Sequence, residues 1–228
     1  MTQPFPLPIK VICFDVDGTL VEHAEGKTVW QLLNERFIGE PLVNQARLSA
    51  FRGGEITYAE WVELDISDWM LRGIRRGEIE GQIMEHLAVV PGARETMDVL
   101  RRRGYRLAVV SGTLDLTLEL LLAGFPFDVS YTNRIFFEPS GRISGWRATR
   151  YDTKGKARAI EEIAAAFGCA PESCAFVGDH WNDIEALTRA GVGIAYRPKD
   201  DAVRRAADLV VEDGPLTRLL EYFPGLST

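Results

Sequence analysis

The sequence is short of cysteine and of positive charge, and each shortage removes a class of protein. Only 3 cysteines occur among 228 residues, namely Cys13, Cys169 and Cys174. Cys13 lies inside an apolar run, and Cys169 and Cys174 have no third or fourth metal-ligand type beside them. A disulfide framework and a zinc site are therefore not expected; free thiols in a reducing cytoplasm are. Lys and Arg, 26 in all, are outnumbered by 33 Asp and Glu, for a net charge of −7. That balance argues against nucleic acid or an anionic membrane as a partner. No apolar stretch approaches the ~20 residues that cross a bilayer. Met1 to Pro8 carries prolines rather than a basic and then apolar segment, so no signal peptide is expected. Internal repeats and low-complexity linkers are also missing. What is present is ordinary: 46% hydrophobic and 26% charged residues supply a sizeable core, and the length suits a main domain with a smaller insertion.

The most informative stretch is Val11-Ile12-Cys13-Phe14-Asp15-Val16-Asp17-Gly18-Thr19-Leu20. A short continuous apolar run closed by a turn reads as a strand buried on both faces, as in parallel sheets. Two carboxylates stand where that strand ends. Side chains two apart on extended chain point the same way, ~6–7 Å apart, so Asp15 and Asp17 can face one cleft. Ligands of open α/β sheets bind beyond the carboxyl ends of the strands.

From residue 22 to residue 88 the chain changes character. Val29, Leu32, Leu33 and Phe37 fall at helical spacing, as do Leu42, Ala46 and Ala50; a third helix is expected from Thr57 to about Leu71. Thr57-Tyr58-Ala59-Glu60 has the form of a capping box. An all-helical insertion of ~65 residues is expected, near the lower limit for a unit with its own core. Trp30, Tyr58, Trp61 and Trp69 are assigned to that core rather than to a ligand box. Arg72, Arg75 and Arg76 read as a solvated face. The division expected is a core of residues 1–21 and 89–228, with residues 22–88 as the inserted unit.

Beyond residue 88 strands alternate with helices. Arg106 to Ser111 reads as a strand, followed by a helix from Leu116 to Leu122; Phe127 to Tyr131 reads as a short third strand. Residues 133–150 read as a β-hairpin turning at Ser140-Gly141. Cys174 to Gly178, Val192 to Ala195 and Leu209 to Val211 are further strands, separated by helices from Thr153 to Phe167 and from Asp183 to Ala190. This rhythm predicts an α/β fold with a doubly wound parallel sheet.

Several element ends carry chemistry. Ser111 stands at the end of a strand, where its hydroxyl and the N–H groups of Gly112 and Thr113 could hold an anion or merely cap a helix. Lys154 lies near a helix start, which disfavours a cation unless an anion sits between; Lys156 competes for the same role. In Gly178-Asp179-His180-Trp181-Asn182-Asp183 a strand again ends in Asp, with a second carboxylate four residues on. Asp15, Asp17, Asp179 and Asp183 in one cleft would repel one another without a divalent cation. A carboxylate-rich set with room for water and phosphate oxygen suits Mg²⁺ better than Zn²⁺ or Ca²⁺.

The succession Asp-x-Asp-Gly-Thr, Ser, Lys and Gly-Asp-x-x-x-Asp resembles the motifs of the haloacid dehalogenase (HAD) superfamily. Val-Val-Ser-Gly-Thr, the hairpin and Gly-Asp-x-x-Asn-Asp are similar to its phosphoserine phosphatase-like branch. The resemblance implies a HAD-like Rossmannoid core with a helical cap, and a phosphatase acting on a small-molecule phosphate ester. It implies Asp15 as nucleophile and Asp17 as general acid/base. Ser111, Gly112, Lys154 and Asn182 would bind phosphate. Mg²⁺ would be held by the Asp15 and Asp179 carboxylates and the Asp17 carbonyl, with Asp183 supporting them; His180 falls at a variable position, on the surface or the pocket rim. A phosphotransferase, or a passive receiver-like domain phosphorylated on Asp15, uses the same parts. Members of the branch that act on phosphoserine hold its amine with a Glu, which aligns here with Ala24 between Glu22 and Glu25. They hold its carboxylate with an Arg, which aligns with Asp65.

Overall fold

Four consecutive buried residues, Val11–Phe14 (β1), form the middle strand of a mostly parallel sheet. The computed structural model describes residues 8–39 and 41–226, and the side chains of Pro41 and Lys154 lie outside that description. Residues 1–7, most of the stretch expected to lack a signal peptide, lie outside it as well. After β1 come β2 (Val21–His23), β3 (Leu87–Val89), β4 (Arg106–Leu114), β5 (Val129–Phe137), β6 (Ile143–Arg147), β7 (Cys174–Gly178), β8 (Val192–Tyr196) and β9 (Leu209–Val211). The sheet runs β6-β5-β4-β1-β7-β8-β9, and β6 alone pairs antiparallel. Phe14 sits beside Val109 on one side and Val177 on the other. The chain thus winds outward from β1 in both directions, which places the crevice of a doubly wound sheet at its carboxyl end.

Alternation along β1 divides its side chains between two apolar layers. Ile12 and Phe14 join one cluster with Met97 and Leu100 of α5 (Ala93–Arg102), while Val11 and Cys13 join another with Ile160 and Ile163 of α7 (Lys156–Ala166). Both faces are covered, as an all-apolar central strand requires. The three cysteines are free thiols, and burial holds the Cys13 thiol well above its ordinary pKa.

Between β2 and β3 lie α1 (Val29–Ile38), α2 (Pro41–Arg52), α3 (Tyr58–Leu71) and α4 (Arg76–His86). The flanking strands pair antiparallel into a two-stranded stem for this helical cap. Thr57 caps α3 as its sequence suggests: its hydroxyl accepts from Glu60 N, and Thr57 N donates to the Glu60 carboxylate at 2.6 Å. Trp69 is fully buried, stacks on Trp30 and donates from Nε1 to Asn34 Oδ1 at 2.8 Å.

Arg72, Arg75 and Arg76 face solvent in whole or part, as read from the sequence: Arg72 ends α3, Arg75 and Arg76 begin α4, and Arg76 pairs with Glu80 and Glu119. Two local differences from the sequence reading have physical causes. The expected third strand and the first arm of the hairpin are one strand, β5, which pairs with both β4 and β6. Polar Thr132 and Asn133 interrupt the apolar pattern but not the backbone ladder. The strand expected to stop at Ser111 continues to Leu114, so α6 (Asp115–Leu121) starts beyond it. α8 (Ile184–Arg189) and α9 (Asp201–Ala206) complete the helices on the far side of the sheet.

Candidate active site

The end of β1 and the end of β7 are joined directly, because Asp15 N donates to Val177 O at 2.9 Å. Asp15 and Asp179, each one residue past its strand, therefore meet. Lys156 Nζ lies 2.6 Å from Asp15 Oδ1 and 2.6 Å from Asp183 Oδ1, and its side chain is fully buried. The other Asp183 oxygen accepts from Asp179 N at 2.9 Å and His180 N at 3.0 Å. Asp183 is thus engaged through both oxygens and fixes the lysine and the Asp179 turn.

One carboxylate oxygen from each of Asp15, Asp179 and Asp183 lies within 4.8 Å of the others. Both oxygens of Asp179 are buried without a hydrogen-bond partner. Lys199 Nζ forms an ion pair with Oδ2 at 3.1 Å. A buried carboxylate left without donors is costly, and hard oxygens converging in a polar cleft are what a cation supplies for. The residues present fit a divalent ion. Gly18 shapes the same cradle: its φ is +94°, and a Cβ there would fall 2.1 Å from Asp179 Oδ2.

Electrostatics follow from burial. Desolvation pushes the Asp15 carboxyl well above the usual range, against the pull of Lys156. Burial lifts Asp179 to about 7, opposed chiefly by Lys199. Asp17 rises to about 6 by burial, restrained by hydrogen bonds from Val29 N–H and the Thr113 hydroxyl. Burial works against the charge on Lys156, but Asp15 and Asp183 outweigh it and hold the ammonium above its ordinary pKa.

Of the two lysines left open by the sequence, Lys156 reaches the carboxylates. Lys154, the one preferred from the sequence, falls in a 3₁₀ turn, Thr153–Gly155, ahead of the helix, and its side chain lies outside the described residues. Lys156 shares a helix face with the buried Ala159, Ile160 and Ile163, a spacing that was readable in the sequence. Ser111 is buried at 1% exposure and lines the cleft, but not from a helix N-terminus; its Oγ accepts from Thr113 N at 3.2 Å, so that N–H is already engaged. Gly112 also lines the cleft, where a Cβ would fall 2.2 Å from Asp152 Oδ2. Asn182 Nδ2 donates to Asp152 Oδ1 at 2.9 Å. Asp17 lines the cleft, and its Oδ1 accepts from Val29 N, the first residue of α1, at 3.2 Å. His180 lines it too, beside Trp181.

Above this floor is a cavity of about 180 Å³ whose other wall is the cap. The aromatics assigned to an internal cap core divide: Trp69 is fully buried, Trp30 and Tyr58 pack against the same core cluster but also line the cavity, and Trp61 lines the cavity as well. Trp30 Nε1 donates to Gly112 O at 2.7 Å, Tyr58 OH accepts from Asn133 Nδ2 at 2.7 Å, and both tie the cap to the sheet. Trp61, Asp65 and Trp69 recur every four residues on α3, one stripe that passes from cavity to core. Asp65 is 1% exposed, lines the cavity and pairs with Arg47, which also pairs with Asp68. Sequence reasoning also passed over Asp152, which precedes the Thr153–Gly155 turn, and Trp181, which opens a 3₁₀ turn over Trp181–Asp183; no periodic pattern marks either.

A family model for haloacid dehalogenase-like hydrolases matches residues 9–191. Phosphoserine phosphatase from Archaeoglobus fulgidus is 34% identical over 192 residues, which are 84% of this chain and 53% of that protein. The phosphoserine phosphatase of Methanocaldococcus jannaschii is 28% identical over 216 residues, 93% of this chain and 97% of its own. The chain therefore spans about half the length of the first relative and nearly all of the second. A solved structure of a phospho-aspartyl intermediate analogue of phosphoserine phosphatase superimposes with a TM-score of 0.75 at 25% identity, covering 95% of this chain and all of that one.

Proposed function

Because the chain belongs to the haloacid dehalogenase-like hydrolases, we propose that it is a Mg²⁺-dependent phosphomonoesterase working through an aspartyl-phosphate on Asp15. The observation that carries this reading is the buried lysine held between Asp15 and Asp183, beside an Asp179 whose oxygens lack donors. The relatives named phosphoserine phosphatase support it for the catalytic floor. The cap of residues 22–88 encloses the alcohol half of a small phosphate ester.

Asp15 attacks phosphorus as the alkoxide leaves, so one displacement becomes two. Asp17 delivers its proton to the leaving oxygen. It then takes a proton from the water that cleaves the acyl phosphate, returning Asp15 as carboxylate. Asp17 is placed for both steps because the α1 N–H and the Thr113 hydroxyl hold its side chain while it faces the cleft. Lys156 neutralises charge on the transferring oxygens, with Ser111 Oγ, Gly112 N–H and Asn182 at their edge. The Asp15 and Asp179 carboxylates and the Asp17 carbonyl would hold Mg²⁺, which supplies charge neutralisation of the phosphoryl group when bound. A carboxyl as strongly placed as Asp17 favours hydrolysis over a passive phospho-acceptor.

Release of inorganic phosphate from p-nitrophenyl phosphate tests this reading. Steady turnover that is lost with EDTA and restored by Mg²⁺ is expected. Stoichiometric phosphorylation without turnover would assign the chain to the receiver-like alternative.

A further inference from the structure

The roof of the cavity differs in chemistry from its floor. Trp30, Tyr58, Trp61 and Trp181 surround it, and among the described residues that line it none is Lys or Arg. The acid on the cap side is Asp65; Glu22 and Glu25 are turned to Arg197 and Lys27 instead. Arg47 lies between Asp65 and Asp68, and Arg72 pairs with Asp68 in turn, so the charges behind the aromatic wall balance; of these four residues Asp65 is the one that lines the cavity. Asp68 is partly hydrated, whereas Asp65 is buried against the cavity. The wall already receives one cation from outside: the exposed Arg52 guanidinium sits 4.8 Å from the Trp181 ring centroid.

We infer that this roof selects a phosphate ester whose alcohol carries an organic ammonium group and no carboxylate, with phosphocholine and phosphoethanolamine as its chemical type. Aromatic faces around a desolvated cation attract it through the ring quadrupole, and the Asp65 carboxylate, the cavity-lining member of its ion-pair network, is of the complementary sign. A substrate carboxylate would meet Asp65 and, among the described residues that line the cavity, no Lys or Arg to pair with. The inference rests on the phosphatase reading for turnover, but the roof can be tested without it.

The experiment compares kcat/KM for phosphocholine, phosphoethanolamine, phosphoserine and 3,3-dimethylbutyl phosphate, the last being the uncharged isostere of phosphocholine. The ammonium esters are expected to exceed both phosphoserine and the isostere by about tenfold or more, the scale of a desolvated cation–π contact with a supporting charge. Asp65→Asn, which leaves Arg47 paired with Asp68, is expected to shrink the advantage over the isostere. Trp61→Leu is a second variant with the same expectation. Equal turnover of phosphocholine and its isostere, or a preference for phosphoserine, would overturn the inference. Independently, free choline is titrated against the intrinsic tryptophan fluorescence. Saturable quenching that weakens in Asp65→Asn supports the roof as an ammonium site, and its absence in the unsubstituted protein counts against it. If p-nitrophenyl phosphate and all four esters go unhydrolysed, the phosphatase reading fails and the choline titration alone decides the roof.

Discussion

The floor and the roof of the cavity solve opposite problems. The floor gathers charge: Asp15, Asp179, Asp183 and Lys156 are each under 5% exposed and are ordered by ion pairs and backbone donors. The roof avoids charge, with indole and phenol rings and a single carboxylate whose partner stands behind it. A buried ion pair gains little stability over an apolar equivalent, yet losing one member is expensive. The floor is thus constrained for chemistry at the cost of tolerance, whereas the roof is free to change with the alcohol it receives.

The largest effect expected is at the floor. Asp15→Asn should lower kcat for p-nitrophenyl phosphate by at least about 10³-fold, as loss of a nucleophile does, with an unchanged far-UV spectrum. Activity near the starting level would remove Asp15 from the reaction. Next, Lys156→Met should cost on the order of 10²–10³-fold in kcat and destabilise the protein by about 3–5 kcal/mol, whereas Lys154→Met should leave both within about twofold. Equal losses in the two variants would undo the distinction drawn between them, and chemical denaturation together with kinetics reads both quantities.

A cation separates the two regions further. Asp15 and Asp179 are raised by burial, Asp179 to about 7, so the folded state holds these protons more tightly than the unfolded chain does. Their contribution to stability is therefore present below the unfolded carboxylate pKa of about 4 and is lost as pH rises through the folded value. In EDTA the melting temperature should fall between pH 5 and pH 8, and Mg²⁺ should flatten that slope by favouring the ionised form. A metal-free profile that rises over this window would contradict the assignment. The smallest effect belongs to the roof: Trp30→Phe removes the Nε1 bond to Gly112 O and should cost about 1 kcal/mol in kcat/KM, mostly through KM.

The same contrast governs what could be read from the sequence. Asp15 and Asp179 each lie one position past a buried strand, and Asp17 and Asp183 follow within the same contiguous words, where local order fixes spatial order. Roof residues lie on helices, where a 3.6-residue period states that a face is covered but not by what. Trp61 and Trp69 occupy one stripe of α3, yet one faces the cavity and the other the cap interior. Lys156 was legible only once its face was matched to Ala159, Ile160 and Ile163, because the motif itself does not say where the helix begins. The run of β4 past Ser111 depended on pairing Leu114 with Asn133 across a bulge, a long-range partnership that local pattern does not encode.

The cap is held to the core by charged contacts, Arg76 with Glu119, Glu22 with Arg197 and Arg52 on the Trp181 ring, and also by neutral ones, an indole and a phenol against a backbone carbonyl and an amide side chain. Screening by added salt acts on charges and leaves such bonds nearly untouched. Added electrolyte should then loosen the charged part of the cap's attachment and spare the indole and phenol bonds, so an ionic-strength dependence of turnover would combine the arrival of the anionic ester with the hold on the cap.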